Sequence, residues 1–508
     1  MTVHAPRPTS ARWRRTGVAA LVAAVGGLAL LASSQGVTLA AGLPQHPIVH
    51  PAAGAGIPEL GAPAVTHEPY AYELLGVGCF SAKYCVAVGY GDGTFTGGVA
   101  VPIKNGVPGK PILSANPASV FRAVACVSAA ECIIAGSEPA SGQTAAQAVV
   151  WLLQGTKLSL LRQSTATNNL SADFTGATCR SRTCEVVGDA TYLTSTKAQQ
   201  PIGLFGGITL RGSPSVDVVD NDALGYASSV SCPSGPVCYV GGSTASGLGA
   251  EAYVRLSNGE IKGPFAQPNV SGIDALACQS FSACGAAEVQ NLTFPQTAGW
   301  VEKLNQLSDG TPVMVAKAQL MFGIAVLNQS YYLAVGAANG GSWLTDLMTA
   351  AGKPRPAAGL AHGGYLQAIS CPVQTECIAV GFTTDSNPHQ PGGLSGVDGA
   401  IALFHLRTAP SAPGLKVTAK THSTVTVRIT PPGSDGDAAI NGYDLAVSRC
   451  KLHHSPCRLA PVKTLTVLAS KRTVTVTHLK ADTAYYFQVR AVNAIGAGPY
   501  SARVRGKT

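Results

Sequence analysis

The chain has 508 residues, of which 12% are charged, 6% aromatic and 46% apolar, with 58 Gly, 33 Pro and a formal net charge of +9. This length suits two or three domains, and the composition excludes a disordered chain, a collagen and a long coiled coil. Many short runs of Val, Ala, Gly and Thr, broken by Gly, Ser, Pro and Asn, predict short strands and tight turns.

Residues 1–41 carry Arg7, Arg12, Arg14 and Arg15 and no acid, then an apolar run from Gly17 to Ala32, then small residues at Thr38, Ala40 and Ala41. This is the pattern of a signal peptide, which predicts a secreted or cell-envelope protein. The apolar run falls short of the roughly 20 residues of a membrane span, so cleavage is expected. Membrane attachment follows only if the signal stays uncleaved. Residues 42–68 read as a Pro/Gly/Ala-rich linker with a strand near its end.

The 14 cysteines fall into close pairs: Cys79 with Cys85, Cys126 with Cys132, Cys179 with Cys184, Cys232 with Cys238, Cys278 with Cys284, Cys371 with Cys377, and Cys450 with Cys457. The first six pairs recur every 46 to 53 residues, with one double gap between Cys278 and Cys371. Half of that gap falls in VLNQSYYLAVG, where Leu327 and Leu333 are expected to replace a seventh disulfide. Each repeat reads as four runs: one ending at the first Cys, one from the second Cys to a Gly, a third such as GVAVPI or AVVWLL, and a fourth after Asn105-Gly106, Gln154-Gly155 or Asn258-Gly259. Repeats of this length suit a four-stranded propeller blade, so residues 69–407 are expected to form a seven-bladed β-propeller.

Each cysteine pair then staples the hairpin between strands one and two, worth roughly 2 kcal/mol on a chain-entropy account. Zinc is disfavoured, because the pairs stand a whole repeat apart and lack clustered histidines, and no metal or other cofactor is expected. Evenly paired cysteines behind a signal peptide belong to an oxidising compartment. The seventh unit ends near Arg407 without a fourth strand, and the segment from about Gly61 to Tyr70 is expected to supply it, covering the open edge.

The runs Val230-Ser231-Cys232-Pro233-Ser234 and Ile369-Ser370-Cys371-Pro372 resemble the disulfide-bearing propeller repeats of secreted actinobacterial proteins. That resemblance implies a fold and an exported setting, and little chemistry. From about Ala409 the pattern changes, and ADTAYYFQVRAVNAIGAGPYS resembles the fibronectin type III signature through Thr483, Tyr485, Phe487, Val489, Ala491, Asn493, Gly496, Gly498 and Ser501. The resemblance implies a β-sandwich over 408–508, with Tyr485 at the tyrosine corner and Ile429 in the slot that usually holds a core Trp. Alternation by itself puts Tyr485, Phe487 and Val489 on one inward face. The fold class is therefore all-β, a propeller followed by a fibronectin type III sandwich.

Charge is unevenly shared: residues 408–508 carry 14 basic and 4 acidic groups, against 17 and 20 in 69–407. Arg449, Lys451, His453, His454, Arg458 and Lys463 crowd the loop between Cys450 and Cys457 and form the candidate binding surface, suited to anionic envelope polymers or acidic glycans. Nucleic acid is not expected as a partner, since aromatic residues do not interleave with the basic ones.

Catalytic motifs such as G-x-S-x-G and HExxH are absent, and no catalytic residue is assigned. Glu131, Glu185 and Glu376 flank cysteines and read as solvated turn residues, while nothing in the sequence aims Asp173, Asp189, Asp222 and Asp274 at one another. Asn339-Gly340-Gly341-Ser342-Trp343 lacks the leading Ser and Asp of an Asp-box; Trp343 is expected to pack between blades in a slot shared with Trp151 and Trp300. The functional expectation is a monomeric, non-catalytic binding or adhesion protein for a glycan, an anionic envelope polymer or a protein partner. The alternative is an extracellular glycoside hydrolase, which requires two carboxylates in one concave face.

Overall fold

The computed structural model describes residues 57–508 apart from short internal segments, among them 222–224, 256–259, 386–396 and 451–458. The expected signal peptide, most of the expected linker, Asp222 and Asn258-Gly259 lie outside the described residues. So does the expected bridge from Cys450 to Cys457, because Cys457 falls in the last of those segments. The described residues are all-β, with no helix.

Between residues 73 and 407 the strands form seven antiparallel sheets in strict chain order, each a meander of neighbouring strands. The first sheet shows how sequence builds one unit. Glu73–Ser81 pairs with Tyr84–Gly91, which pairs with Gly97–Lys104. Asn105 and Gly106 both adopt positive φ (52° and 76°) in the turn after the third strand, the two-residue hairpin conformation that an Asn-Gly dipeptide favours. Middle strands are apolar on both faces because each sheet is covered on both sides: Val86, Ala87 and Val88 are all buried.

Packing joins successive sheets through separate apolar clusters. Phe121 and Trp151 of the second sheet, 4.7 Å apart and edge-on, pack on Val86 and Val88 of the first. Phe174 and Leu204 pack on Ile133 and Val150 in the next interface. The series also joins its ends, since Ile378, Val380 and Ile401 of the seventh sheet share a cluster with Leu74, Ala87 and Val101 of the first. The edge of the seventh sheet is covered by the segment ahead of the first: Ala64–Glu68 pairs antiparallel with Asp398–Arg407, and Glu59–Leu60 pairs with its end.

Six disulfides bridge the hairpins between first and second strands, as the spacing predicts. Cys79 is joined to Cys85, Cys126 to Cys132 and Cys179 to Cys184 in the first three sheets. Cys232 is joined to Cys238, Cys278 to Cys284 and Cys371 to Cys377 in the fourth, fifth and seventh. Their Cα separations run from 3.9 to 4.3 Å, the approach of residues facing each other across an antiparallel pair.

In the sixth sheet the residues in the cysteine register are Val326 and Tyr332, directly opposite each other, rather than Leu327 and Leu333. The trailing Leu-Ala-Val-Gly aligns with the Val-Ala-Val-Gly after Cys85, and a shift of one residue turns a side chain to the other face. Leu327 and Leu333 thus pack toward the seventh sheet, whereas Tyr332 faces the fifth. Its hydroxyl donates to the carbonyl of Ala283 at 3.0 Å, and its ring lies where a Cβ on Gly285 would stand, so glycine there makes the room.

The tryptophans do not share one slot. Trp343 pairs with Ala337, Trp151 with Ile134 and Trp300 with Glu288, three different positions relative to the equivalent residues Gly336, Gly136 and Glu288. Trp343 is fully buried and donates to the carbonyl of Phe382 at 2.9 Å.

Residues 408–508 form a sandwich of a three-stranded and a four-stranded sheet. Tyr485, Phe487, Val489 and Ala491 alternate inward against Val427, Ile429, Leu445 and Val447. The Tyr485 hydroxyl accepts from the Lys480 N–H at 3.0 Å. Buried Asn493 donates to the carbonyls of Thr408 and Asp435 at 2.7 and 2.8 Å, tying the sandwich to the residue that follows Arg407.

Candidate functional site

Every first strand between residues 73 and 373 breaks its register at the same place. The skipped residues are Leu75, Arg122, Thr175, Ser228, Asp274, Phe322 and Gln367, one per sheet. Each stands four positions ahead of the first cysteine, or of Val326 in the sixth repeat. A β-bulge re-aims its extra residue, and all seven line one cavity of about 190 Å³.

The bulge explains a glycine that recurs inside the second strand of six of the seven sheets. At Gly89, Gly136, Gly188, Gly242, Gly336 and Gly381 a Cβ would run into the first-strand carbonyl opposite. The fifth sheet departs from this rule, since Glu288 occupies the glycine position, opposite Ile273. Glu288 and Glu302 are fully buried, and burial pushes both carboxyls upward, Glu288 further because Glu302 lies beside it.

Bulge residues reach across to the next sheet. Arg122 Nε donates to Asp173, Thr175 Oγ1 to the carbonyl of Ala227 at 2.6 Å, and Ser228 Oγ to the carbonyl of Ile273. Gln367 Nε2 donates to Glu73 Oε1 at 2.8 Å, linking the seventh sheet to the first.

Two residues ahead of the bulge, the first, third and seventh sheets carry Glu73, Asp173 and Tyr365, which with their neighbours form a belt of polar and aromatic side chains. Buried Glu73 also accepts from the Tyr90 hydroxyl at 3.1 Å, and Tyr90 packs on Tyr72 with centroids 5.8 Å apart. Tyr365 lies between Phe322 and Phe382, at 5.3 and 4.1 Å. Burial and the Glu73 carboxylate hold the Tyr90 and Tyr365 phenols protonated. Asp173 and Asp189 are cross-strand partners beside Arg122. Burial and the neighbouring Asp173 raise Asp189 to about 7, with Arg122 opposing. The Arg122 side chain is 40% exposed, so this end of the cavity reaches solvent.

The sequence motifs missed this assembly. Asp173 and Asp189, with nothing in the sequence aiming them at each other, meet through the hairpin register, and Asp274 joins the cavity wall. The usable signal was the variable residue four before each cysteine. Glu131 is no solvated turn residue: its side chain is 14% exposed and pairs with Arg182 of the next sheet at 2.6 Å. Among the described residues no group of three or more His, Cys, Asp or Glu is placed to hold a metal ion.

Of the six basic candidates, Arg449 and Lys463 are described, on neighbouring strands, with Lys463 Nζ donating to the carbonyl of Thr477 at 2.9 Å. Lys451, His453, His454 and Arg458 lie outside the described residues.

The fibronectin type III domain family matches residues 408–507. Together with the two-sheet sandwich, this defines the C-terminal part of the chain as a fibronectin type III domain. Among solved structures, the third fibronectin III domain of the human KIAA0343 protein is 24% identical, over 20% of this chain and 83% of that one, with a TM-score of 0.18. The FN5 domain of Drosophila Lar is 27% identical, over 20% and 97%, with a TM-score of 0.16. No curated protein matches the chain.

Proposed function

We propose that residues 69–407 form a seven-bladed β-propeller that serves an exported, non-catalytic binding protein, with a glycan held at the solvent end of the central cavity. The observation that carries the reading is a cavity lined by one bulge residue from each of seven sheets. The cluster shared by the seventh and first sheets and the resemblance of the repeats to those of secreted actinobacterial proteins support the same architecture. Tyr72, Tyr90 and Tyr365 offer aromatic faces, while Glu73, Arg122, Asp173 and Gln367 offer fixed polar groups, the combination that a pyranose ring uses for stacking and hydroxyl recognition. A fibronectin type III domain fits a binding role. Its surplus of basic residues suits an anionic envelope polymer, with Arg449 and Lys463 as described contacts. Six disulfides, and no helix among the described residues long and apolar enough to cross a membrane, fit an extracellular location.

Calorimetric titration of the full chain with neutral and acidic oligosaccharides tests this reading. Binding to the wild type, weakened tenfold or more by Tyr90→Ala or Arg122→Ala, is expected; equal binding by both variants refutes the site. Retention of the chain on anionic polymer is expected to fall steeply with salt.

The hydrolase reading keeps one specific support: Asp173, paired with Arg122, and Asp189 are cross-strand carboxyls, and burial raises both, Asp189 to about 7 and Asp173 against the opposing pull of Arg122. Release of reducing ends that Asp189→Asn abolishes decides for it.

A further inference from the structure

Beyond the belt, the wall of the cavity has a chemical bias of its own. Thr175 has one hydroxyl proton, and the carbonyls of Ala227 and Val187 compete for it at 2.6 and 3.4 Å. Ser228 likewise gives its proton to the carbonyl of Ile273 or of Gly241. Neither hydroxyl has a hydrogen left for the cavity, and both keep lone pairs. Gln367 gives one of its two amide hydrogens to Glu73 and keeps its carbonyl oxygen as an acceptor. Arg122, the one cation of the seven, is engaged by Asp173 and stands three sheets from Asp274.

Asp274 follows Ser228 around the wall, lining the cavity and partly buried. Phe322 comes next and contributes an aromatic ring. The fifth sheet adds acids behind Asp274, where Glu288 replaces the recurrent glycine and Glu302 lies beside it. Acceptors, a carboxyl and an aromatic ring in sequence around one wall suit a cation that brings its own N–H donors.

We infer that this wall, from Thr175 through Ser228 and Asp274 to Phe322, is a binding site for a primary ammonium group. The ligand class is an amine-bearing small molecule or side chain, taken on a stretch of the same cavity wall that holds none of Glu73, Arg122, Asp173 or Gln367 and borders the belt where Phe322 meets Tyr365. Space for about six waters, at roughly 30 Å³ each, admits an alkylammonium head and a few methylenes.

The test uses the full chain and n-butylammonium, with 1-butanol and Mg²⁺ as controls, in calorimetric titrations at pH 8. Butylammonium is expected to bind and butanol and Mg²⁺ not to. Asp274→Asn, nearly isosteric, is expected to weaken binding at least tenfold, and Phe322→Leu, which keeps the carboxyl, severalfold. The folding of each variant is checked by its thermal midpoint, and oligosaccharide binding at the belt is expected to be unchanged in Asp274→Asn. Absence of butylammonium binding, equal binding by Asp274→Asn, or equal uptake of butanol or Mg²⁺ overturns the assignment.

Discussion

Tyr332 shows what one residue does where a covalent staple is lost. Its ring fills the space between the fifth and sixth sheets and its hydroxyl satisfies the Ala283 carbonyl. Truncation to Ala leaves a buried cavity and an unpaired carbonyl, and is expected to cost about 3–5 kcal/mol, whereas Tyr332→Phe removes the hydrogen bond alone, about 1 kcal/mol. Denaturant unfolding of the two variants checks the split.

The buried carboxyls give a second residue-scale prediction. Glu288 and Glu302 have folded-state pKa values above the ordinary 4.5. Their contribution to stability is therefore full below about that value and lost as pH rises through the folded-state values. Glu68, Asp189 and Asp274, each at about 7, act in the same direction. Thermal midpoints are expected to fall between pH 5 and pH 9 in the wild type, and to fall less in Glu288→Gln.

Among the elements, the covering strand Ala64–Glu68 has the largest expected effect. Without it, Asp398–Arg407 exposes a row of unpaired backbone groups along a largely buried apolar strand, a template for pairing with another copy. Removal of residues 57–68 is expected to lower the thermal midpoint and cause concentration-dependent self-association, seen by light scattering. The hairpin staples act more locally. Replacing Cys79 and Cys85 together by Ser opens a loop of sequence separation 6, and a loss of about 2 kcal/mol is expected from denaturant unfolding.

In the molecule as a whole, seven sheets depend on one another because each buries both faces against neighbours. Cyclic packing of this kind is expected to unfold as one cooperative unit, with the 408–508 sandwich, which has its own core, as a second transition in calorimetry. The repeats were legible because cysteine spacing, Val-Gly endings and Asn-Gly turns act over a few residues, and so were the inward face of Tyr485, Phe487 and Val489 and the need for a covering strand. The sixth repeat was legible in number but not in register, since with no cysteine present two alignments one residue apart look equally apolar. The acidic pair and the cavity ring were not legible. Local sequence determined which residues become strands, turns and staples, because propensity and short-loop closure are properties of nearby residues. Only the tertiary structure decided that Arg122 meets Asp173 and that Gln367 meets Glu73, because a bulge aims its side chain into a space that exists once distant sheets have assembled around it.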